Sequence, residues 1–399
     1  MRAKVHPWIA LSWIAILVLG TAVNFEVDGR LRYLLDLDVY IQGAERFWSD
    51  QPLYDVYFPT RHENLPFTYP PFAAILFTPV WWLSGAIGQT ATERVVTLLS
   101  LIALWLASRA VAAATGSRIP VVVVMAICLC SWPVLDTLYL GQVNIVLMAM
   151  VILDATRAHP RLPIGVLTGI AAAIKLTPAV FGLYFLFLLI LRRDPRGLYG
   201  MAAGFGLAGG FAWLANPSAF FTFWTQTLTS TGRIGDPAYA KNVSIHGLLS
   251  RFPQLGAETT IWLAAVCAVI TLACLCLWRI LRTDTSPAAQ LLAITVVALV
   301  SLLCSPVSWN HHWVWLGPLA IALWSTGHRF LACWAVFAQS LGPFQLFIDG
   351  GGGDGREFQW SPLQHLLVAH YLWFALSVLI TVALRPRVGP EVGARPDTT

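Results

Sequence analysis

Residues 70–85 read PPFAAILFTPVWWLSG, and whether this run crosses a membrane decides the arrangement of everything after it. Of the 399 residues, 57% are apolar and 11% charged, with a mean hydropathy of +0.68. Soluble domains carry about 25% charged residues, so the chain is expected to be an integral membrane protein. Apolar runs of about 20 residues, the length of a helical span, follow one another from Trp8 to Leu384 without the alternation of a barrel strand. Helices are therefore the expected spans.

Lys and Arg gather on the cytoplasmic side of such proteins. Here they cluster in MRAK at the start, Arg109–Arg118, Arg157–Arg161, RRDPR at 192–196, Arg279 with Arg282, Arg329, and the tail from Arg385. If 70–85 crossed, every later cluster would change sides. The run therefore reads as an interfacial or re-entrant helix anchored by Trp81 and Trp82. About twelve spans result, at 8–24, 93–111, 119–134, 143–156, 163–175, 178–191, 198–214, 259–278, 287–304, 312–325, 330–347 and 363–384.

The expected architecture is an all-α polytopic membrane protein with one domain over 1–384, a cytoplasmic tail at 385–399, and long outer loops at 25–92 and 215–258. The first run lacks a small-residue cleavage site and reads as an uncleaved helix. The loops are rich in aromatic residues and proline, so they are expected to pack on the outer face as short helices, with interfacial helices in the first. The net charge of +5 is distributed by membrane side rather than gathered into a patch, which argues against nucleic acid as a partner. The seven cysteines match no metal or redox spacing and read as small packing residues. GFGLAG (204–209) fits a nucleotide-loop pattern only formally; inside an apolar helix it reads as close helix packing. DGGGGDG (349–355) reads as a flexible outer loop, and NVS at 242 fits a glycosylation acceptor no better than chance would.

With this sidedness the unusual polar residues fall on the outer face together. LLDLDVY (34–40) and ENLPFTYPPF (63–72) lie in the first loop, LDTLYLGQVN (135–144) and KLTP (175–178) at short turns, GRIGDPAYAKNVSIHGLLSR (232–251) in the second loop, and SPVSWNHHW (305–313) at the next turn. Ionisable groups at membrane depth mark function. Asp36 and Asp38, two apart, cannot share a helical face, which assigns chemistry to one and structure to the other. D-x-D also serves as a metal and nucleotide ligand, but on α/β domains for which this chain has no room, so no metal and no cofactor are expected. Lys175 reads either as an outward anchor or as a point charge for a lipid phosphate. His311 and His312 belong to an aromatic belt or, opposite a carboxylate, orient a hydroxyl or protonate a leaving phosphate. Gln142 and Asn144 bond sugar hydroxyls or satisfy backbone at a helix start.

These segments, spread over most of the chain, resemble glycosyltransferase family 87, the polyprenyl-phosphate-mannose-dependent mannosyltransferases with the membrane-embedded type C fold. The matching stretches are DLDVYIQGAERFWSDQPLYD, LPFTYPPFAAILFTP, GQVN, GIAAAIKLTP, NVSIHGLLSR and SPVSWNHHW. The resemblance is greatest to members acting on phosphatidylinositol mannosides. It implies a polyprenyl-phosphate-mannose donor, a mannosylated phosphatidylinositol acceptor, a multi-pass cytoplasmic-membrane location, and a cavity open to the outer leaflet. It also implies an acceptor-activating Asp, for which Asp36 ranks above Asp38. Lys175, Arg251, Arg233 and the histidine pair are the candidates for holding donor phosphate. Tyr69, Gln142, Asn144, Asn242, Trp309 and Trp313 are the candidates for sugar contacts. Branching of lipomannan or lipoarabinomannan is the alternative within the family, and a lipid-linked sugar transporter the alternative outside it.

Overall fold

A computed structural model describes residues 34–49, 51–60, 63–116, 119–156, 162–341 and 355–385. The expected span at 8–24, the MRAK and Arg157–Arg161 clusters, Arg118, the glycine loop up to Asp354 and the tail beyond Arg385 lie outside the described residues.

The described chain opens with helix α1 (Leu35–Trp48). A short antiparallel hairpin follows, β1 (Tyr57–Pro59) with β2 (Asn64–Pro66), pairing Tyr57 with Pro66. This hairpin is the one strand element among the described residues, in a loop expected to hold helices alone. Helix α2 (Pro71–Ile87) begins on a proline, whose missing N–H would be unsatisfied there in any residue. It carries Pro79 inside and leaves Trp82 and Ile87 exposed. Gly88, at φ 82°, turns it directly into α3 (Gln89–Ala114).

Helices α4 (Val121–Leu129) and α5 (Trp132–Leu140) meet at a 73° bend. Then come α6 (Asn144–Ala155), α7 (Val166–Ile174), a 3-10 turn (Thr177–Phe181) and α8 (Gly182–Arg192). Helix α9 (Arg196–Ala215) leads into the second long loop, which holds α10 (Pro217–Thr222) and α11 (Ile245–Leu249). Two long helices follow, α12 (Glu258–Thr283) and α13 (Pro287–Cys304), and then a 3-10 segment (Asn310–Trp315). The last elements are α14 (Leu316–Ser325), α15 (Arg329–Ser340), α16 (Pro362–Val368) and α17 (His370–Leu384).

Among the described residues, α3, α9, α12 and α13 are long and apolar enough to cross a membrane, and the bent pairs α4–α5 and α16–α17 qualify when each is taken as one span. The runs expected as spans at 163–175 and 178–191 contain helices of 9 and 11 residues. At 1.5 Å per residue each is shorter than a bilayer core of about 30 Å. The chain breaks between them at Lys175, whose backbone is extended (φ −146°, ψ 133°), with Pro178 following. Such breaks are tolerated at depth only where protein or a cavity covers them.

Helix α13 is apolar all round and buried on every face from Leu291 to Val300, which puts it at the centre. Leu207 and Leu214 of α9 and Leu263 of α12 are more than half exposed, as lipid-facing residues are. Against α7, α9 packs backbone to backbone. A Cβ on Gly169 would stand 2.1 Å from the Met201 carbonyl oxygen, and one on Gly204 2.3 Å from that of Val166. The first glycine of GFGLAG therefore serves helix packing, while a Cβ on Gly206 or Gly209 would meet open space.

Candidate active site

Asp36 lies in the first turn of α1, half-buried, with its carboxylate hydrogen-bonded to Gln142. The orientation of that amide is forced. Its Oε1 accepts from the Tyr69 hydroxyl at 2.8 Å and from the Tyr40 hydroxyl at 3.1 Å, so the NH2 is what remains for Asp36. Tyr40 is held in turn by stacking on Phe77 at 4.1 Å, and Tyr69 by the Tyr54 hydroxyl, which donates to its carbonyl at 3.0 Å. Burial pushes the Asp36 carboxyl above the usual carboxylate range; the charges of His311 and Lys175 and the Gln142 bond pull it part of the way back. Asp38 faces elsewhere: its Oδ1 accepts from Gln89 Nε2 at 2.7 Å and ties α1 to the start of α3.

Lys175 stands where α7 ends. Its Nζ donates to Asn144 Oδ1 at 3.0 Å and to His312 Nε2 at 3.1 Å, and lies 5.3 Å from the centre of the Tyr69 ring. None of these direct partners is an anion, so an anionic ligand would find a cation already aimed. From Asn144 and His312 a cleft runs between α6, the 3-10 turn and α13, lined by Met148, Phe181, Leu302 and Trp315. A polar mouth on an apolar crevice suits an amphiphile with a charged head.

The two histidines have different neighbours. Their rings are 4.8 Å apart and nearly perpendicular. His312 turns to Lys175, while His311 Nδ1 lies 3.7 Å from Asp136 Oδ2. The His311 carbonyl is pinned by Thr137 Oγ1 at 2.9 Å and Asn144 Nδ2 at 3.2 Å, which locks this segment to α5 and α6. Asn310 Nδ2 donates to the same Asp136 oxygen at 3.2 Å. Asp136 and Tyr40 were not among the residues singled out from the sequence. The signal for Asp136 was present: a carboxylate inside the apolar stretch LDTLYLGQVN.

Three expected residues are placed away from this group. Arg251, only 3% exposed, gives its guanidinium hydrogens to four carbonyls, those of Ala238, Tyr239, Ala240 and Asn242, and burial brings it down to about 10 despite the nearby Glu357. Through its Nε and Nη2 it clamps the second long loop, and its guanidinium lies over the Trp360 ring. Asn242 is fully buried, its NH2 on the Pro237 and Pro306 carbonyls and its oxygen on the Ser308 N–H, so it is neither a sugar contact nor a glycosylation acceptor. Trp313 is buried completely against the Tyr371 ring. For Arg251 and Asn242 the physical reason is shared: a long irregular loop must satisfy its own backbone, and these two side chains do that.

Trp309 is half-buried and packs on Tyr239 and on Gly235, where its ring leaves 3.2 Å for a Cβ. Arg233 lies close enough to Tyr54 for its charge to act on the phenol, and one of its terminal nitrogens is buried without a hydrogen-bond partner.

The sequence profile of glycosyltransferase family 87 matches residues 67–306. A polyprenol-phosphate-mannose-dependent alpha-(1-2)-phosphatidylinositol mannoside mannosyltransferase of Mycolicibacterium smegmatis is 32% identical, over 96% of this chain and 91% of that protein. The protein of the same description from Mycobacterium tuberculosis is 33% identical over 94% of this chain and 90% of its own length. A polyprenol-phosphate-mannose-dependent alpha-(1-2)-phosphatidylinositol pentamannoside mannosyltransferase from M. smegmatis is 33% identical over 72% of this chain and 69% of that one. Among solved structures, ArnT from Cupriavidus metallidurans bound to undecaprenyl phosphate matches with a TM-score of 0.46 and 16% identity, over 96% of this chain and 78% of that one.

Proposed function

The chain belongs to glycosyltransferase family 87, and from that premise we propose that it transfers mannose from polyprenyl-phosphate-mannose to a phosphatidylinositol mannoside in α-1,2 linkage, with inversion, at the outer leaflet of the cytoplasmic membrane. In this reading the fold is of type C, and the cleft beside Lys175 receives the donor. The relatives' names supply the donor and acceptor classes; the single observation that carries the mechanism is the convergence of Asp36 with Lys175 and His311 from three separate elements.

The donor already carries a leaving group, so neither nucleotide nor metal is needed to make it reactive. The acceptor hydroxyl must lose a proton as the bond forms. Asp36, with one oxygen held by Gln142, is the base. The phosphate departs with the electron pair of the C1–O bond, and Lys175, already steered by Asn144 and His312, meets the charge that develops. One base and one displacement turn a β-linked donor into an α product; a retaining route would call for a carboxylate nucleophile at the anomeric carbon. Tyr69 walls the sugar pocket, and its ring is the surface against which a mannose packs.

The test is incubation of purified protein with polyprenyl-phosphate-mannose and a panel of mannolipids, followed by linkage analysis of the products. An α-1,2-linked mannose on a phosphatidylinositol mannoside is expected. Transfer only to lipomannan would move the assignment to the branching enzymes, and no transfer to any acceptor would remove it.

A further inference from the structure

Asp136 is a carboxylate 8% exposed in the apolar helix α5, and no step above uses it. Its Oδ2 faces His311 Nδ1 at 3.7 Å and is steadied by Asn310 Nδ2 at 3.2 Å. The other imidazole nitrogen, Nε2, is buried with no hydrogen-bond partner, in a residue 7% exposed. An orphaned buried ring nitrogen is costly unless something occupies its face during function. Asp36 lies within electrostatic range of this residue.

We infer that Asp136 is a positioning residue that acts through His311, holding the proton on Nδ1 so that Nε2 presents a lone pair to the reacting centre. The inference rests on the reading of Asp36 as base. A carboxylate beside one ring nitrogen fixes the tautomer and stabilises the imidazolium that forms. The bookkeeping of the proton is complete: the acceptor O–H breaks as an Asp36 O–H forms, and that O–H then breaks as a His311 Nε2–H forms. The imidazolium faces Asp136, and Asp36 is ionised again for the next acceptor. The proton leaves to water when the products do. The remaining polar neighbours have other roles or act from further off: Lys175 is on Asn144 and His312, Lys241 acts on Asp136 through its charge, and Asp136 in turn acts on the Tyr371 phenol and on Asp36. Thr137 and Asn144 fix the His311 backbone, so the ring pivots only about its own bonds.

The experiment is a double-mutant cycle on the full-length purified enzyme, with Asp136→Asn, His311→Gln and both together. An amide at 136 donates to Nδ1 and forces the wrong tautomer, so kcat should fall about 100-fold. The KM values for donor and acceptor should move less than about threefold, because binding groups are untouched. Asp136→Asn should add nothing in the His311→Gln background, and Asp136→Glu should retain about a tenth of the rate or more. If Asp136→Asn is not recovered folded, Asp136→Glu carries the cycle, and its loss must likewise vanish beside His311→Gln. A fully active Asp136→Asn, or losses that add in the double variant, would overturn the assignment. Asp36→Asn, run alongside, separates the two readings, since full activity there removes the base and leaves the cycle to be judged by its own additivity.

Discussion

Replacing Asp36 by Asn removes a charge and almost nothing else. The amide keeps an oxygen for the Gln142 NH2, and the tyrosine pair that orients Gln142 is unchanged. A general base contributes about 10²–10⁴-fold, or about 3–5 kcal/mol of barrier, so turnover should drop by that factor while donor KM stays near the parent value. Stability should move the other way. Burial raises the carboxyl of Asp36 in the folded protein, so the native state holds that proton more tightly than the unfolded chain does. With more protons bound in the folded state, stability falls as pH climbs from the ordinary carboxylate value of about 4 towards the raised one, and stays lowered above it.

Asp36→Asn has no such dependence. At neutral pH the variant should unfold at the same temperature as the parent or higher, and its advantage should close as the pH drops below the ordinary carboxylate range. The parent's rate should show the complementary limb, rising with pH through a range above that of a normal carboxylate. Initial rates with purified enzyme and lipid donor, together with thermal unfolding in the same detergent across pH, measure all three. Parent-like turnover in the variant would refute the base assignment, and a variant melting well below the parent at neutral pH would refute the burial argument.

Lys175→Ala should raise the donor KM about 10–100-fold with a smaller effect on the acceptor, the loss of one charge-assisted contact; donor titrations at fixed acceptor test it. Arg251→Met strands four loop carbonyls at about 1–3 kcal/mol for each left unsatisfied. Yield and melting temperature should therefore fall sharply, while whatever folds keeps the parental donor KM. Gly204→Leu drives a side chain into the Val166 carbonyl and should destabilise by about 1–3 kcal/mol or more, read as a lowered melting temperature with kcat preserved in the folded fraction.

Sidedness and composition carried much of this. Outer-face clustering drew Asp36, Lys175, Gln142, Asn144 and the histidines into one list, and the structure brings those six side chains together. The i, i+2 spacing of Asp36 and Asp38 predicts different partners, and they have them. The residues placed elsewhere do not share one cause. Arg251 and Asn242 lie in the long loop with suitable chemistry, but a sequence does not say which polar side chains a loop spends on its own backbone, while Trp313 belongs to the 3-10 segment and packs on Tyr371. Hydropathy also separates 163–175 from 178–191 at KLTP, where the backbone breaks; what it does not report is the length of helix on either side, Val166–Ile174 and Thr177–Arg192.

Those breaks also explain how charged groups stay ionised in so apolar a setting. Each helix end exposes unpaired backbone groups, positive at the N-terminus and negative at the C-terminus. Asp36 sits in the first turn of α1, and Lys175 caps the C-terminus of α7. The carboxylate therefore stands at a positive end, a placement worth about 0.3–1 kcal/mol on a surface and up to about 2 where partly buried. The Lys175 ammonium instead reaches across to Asn144 Oδ1 and His312 Nε2, so neutral side-chain dipoles, rather than a helix end, offset its charge. The break at Lys175 matters because it turns that side chain out of its own helix and towards α6 and the 3-10 segment.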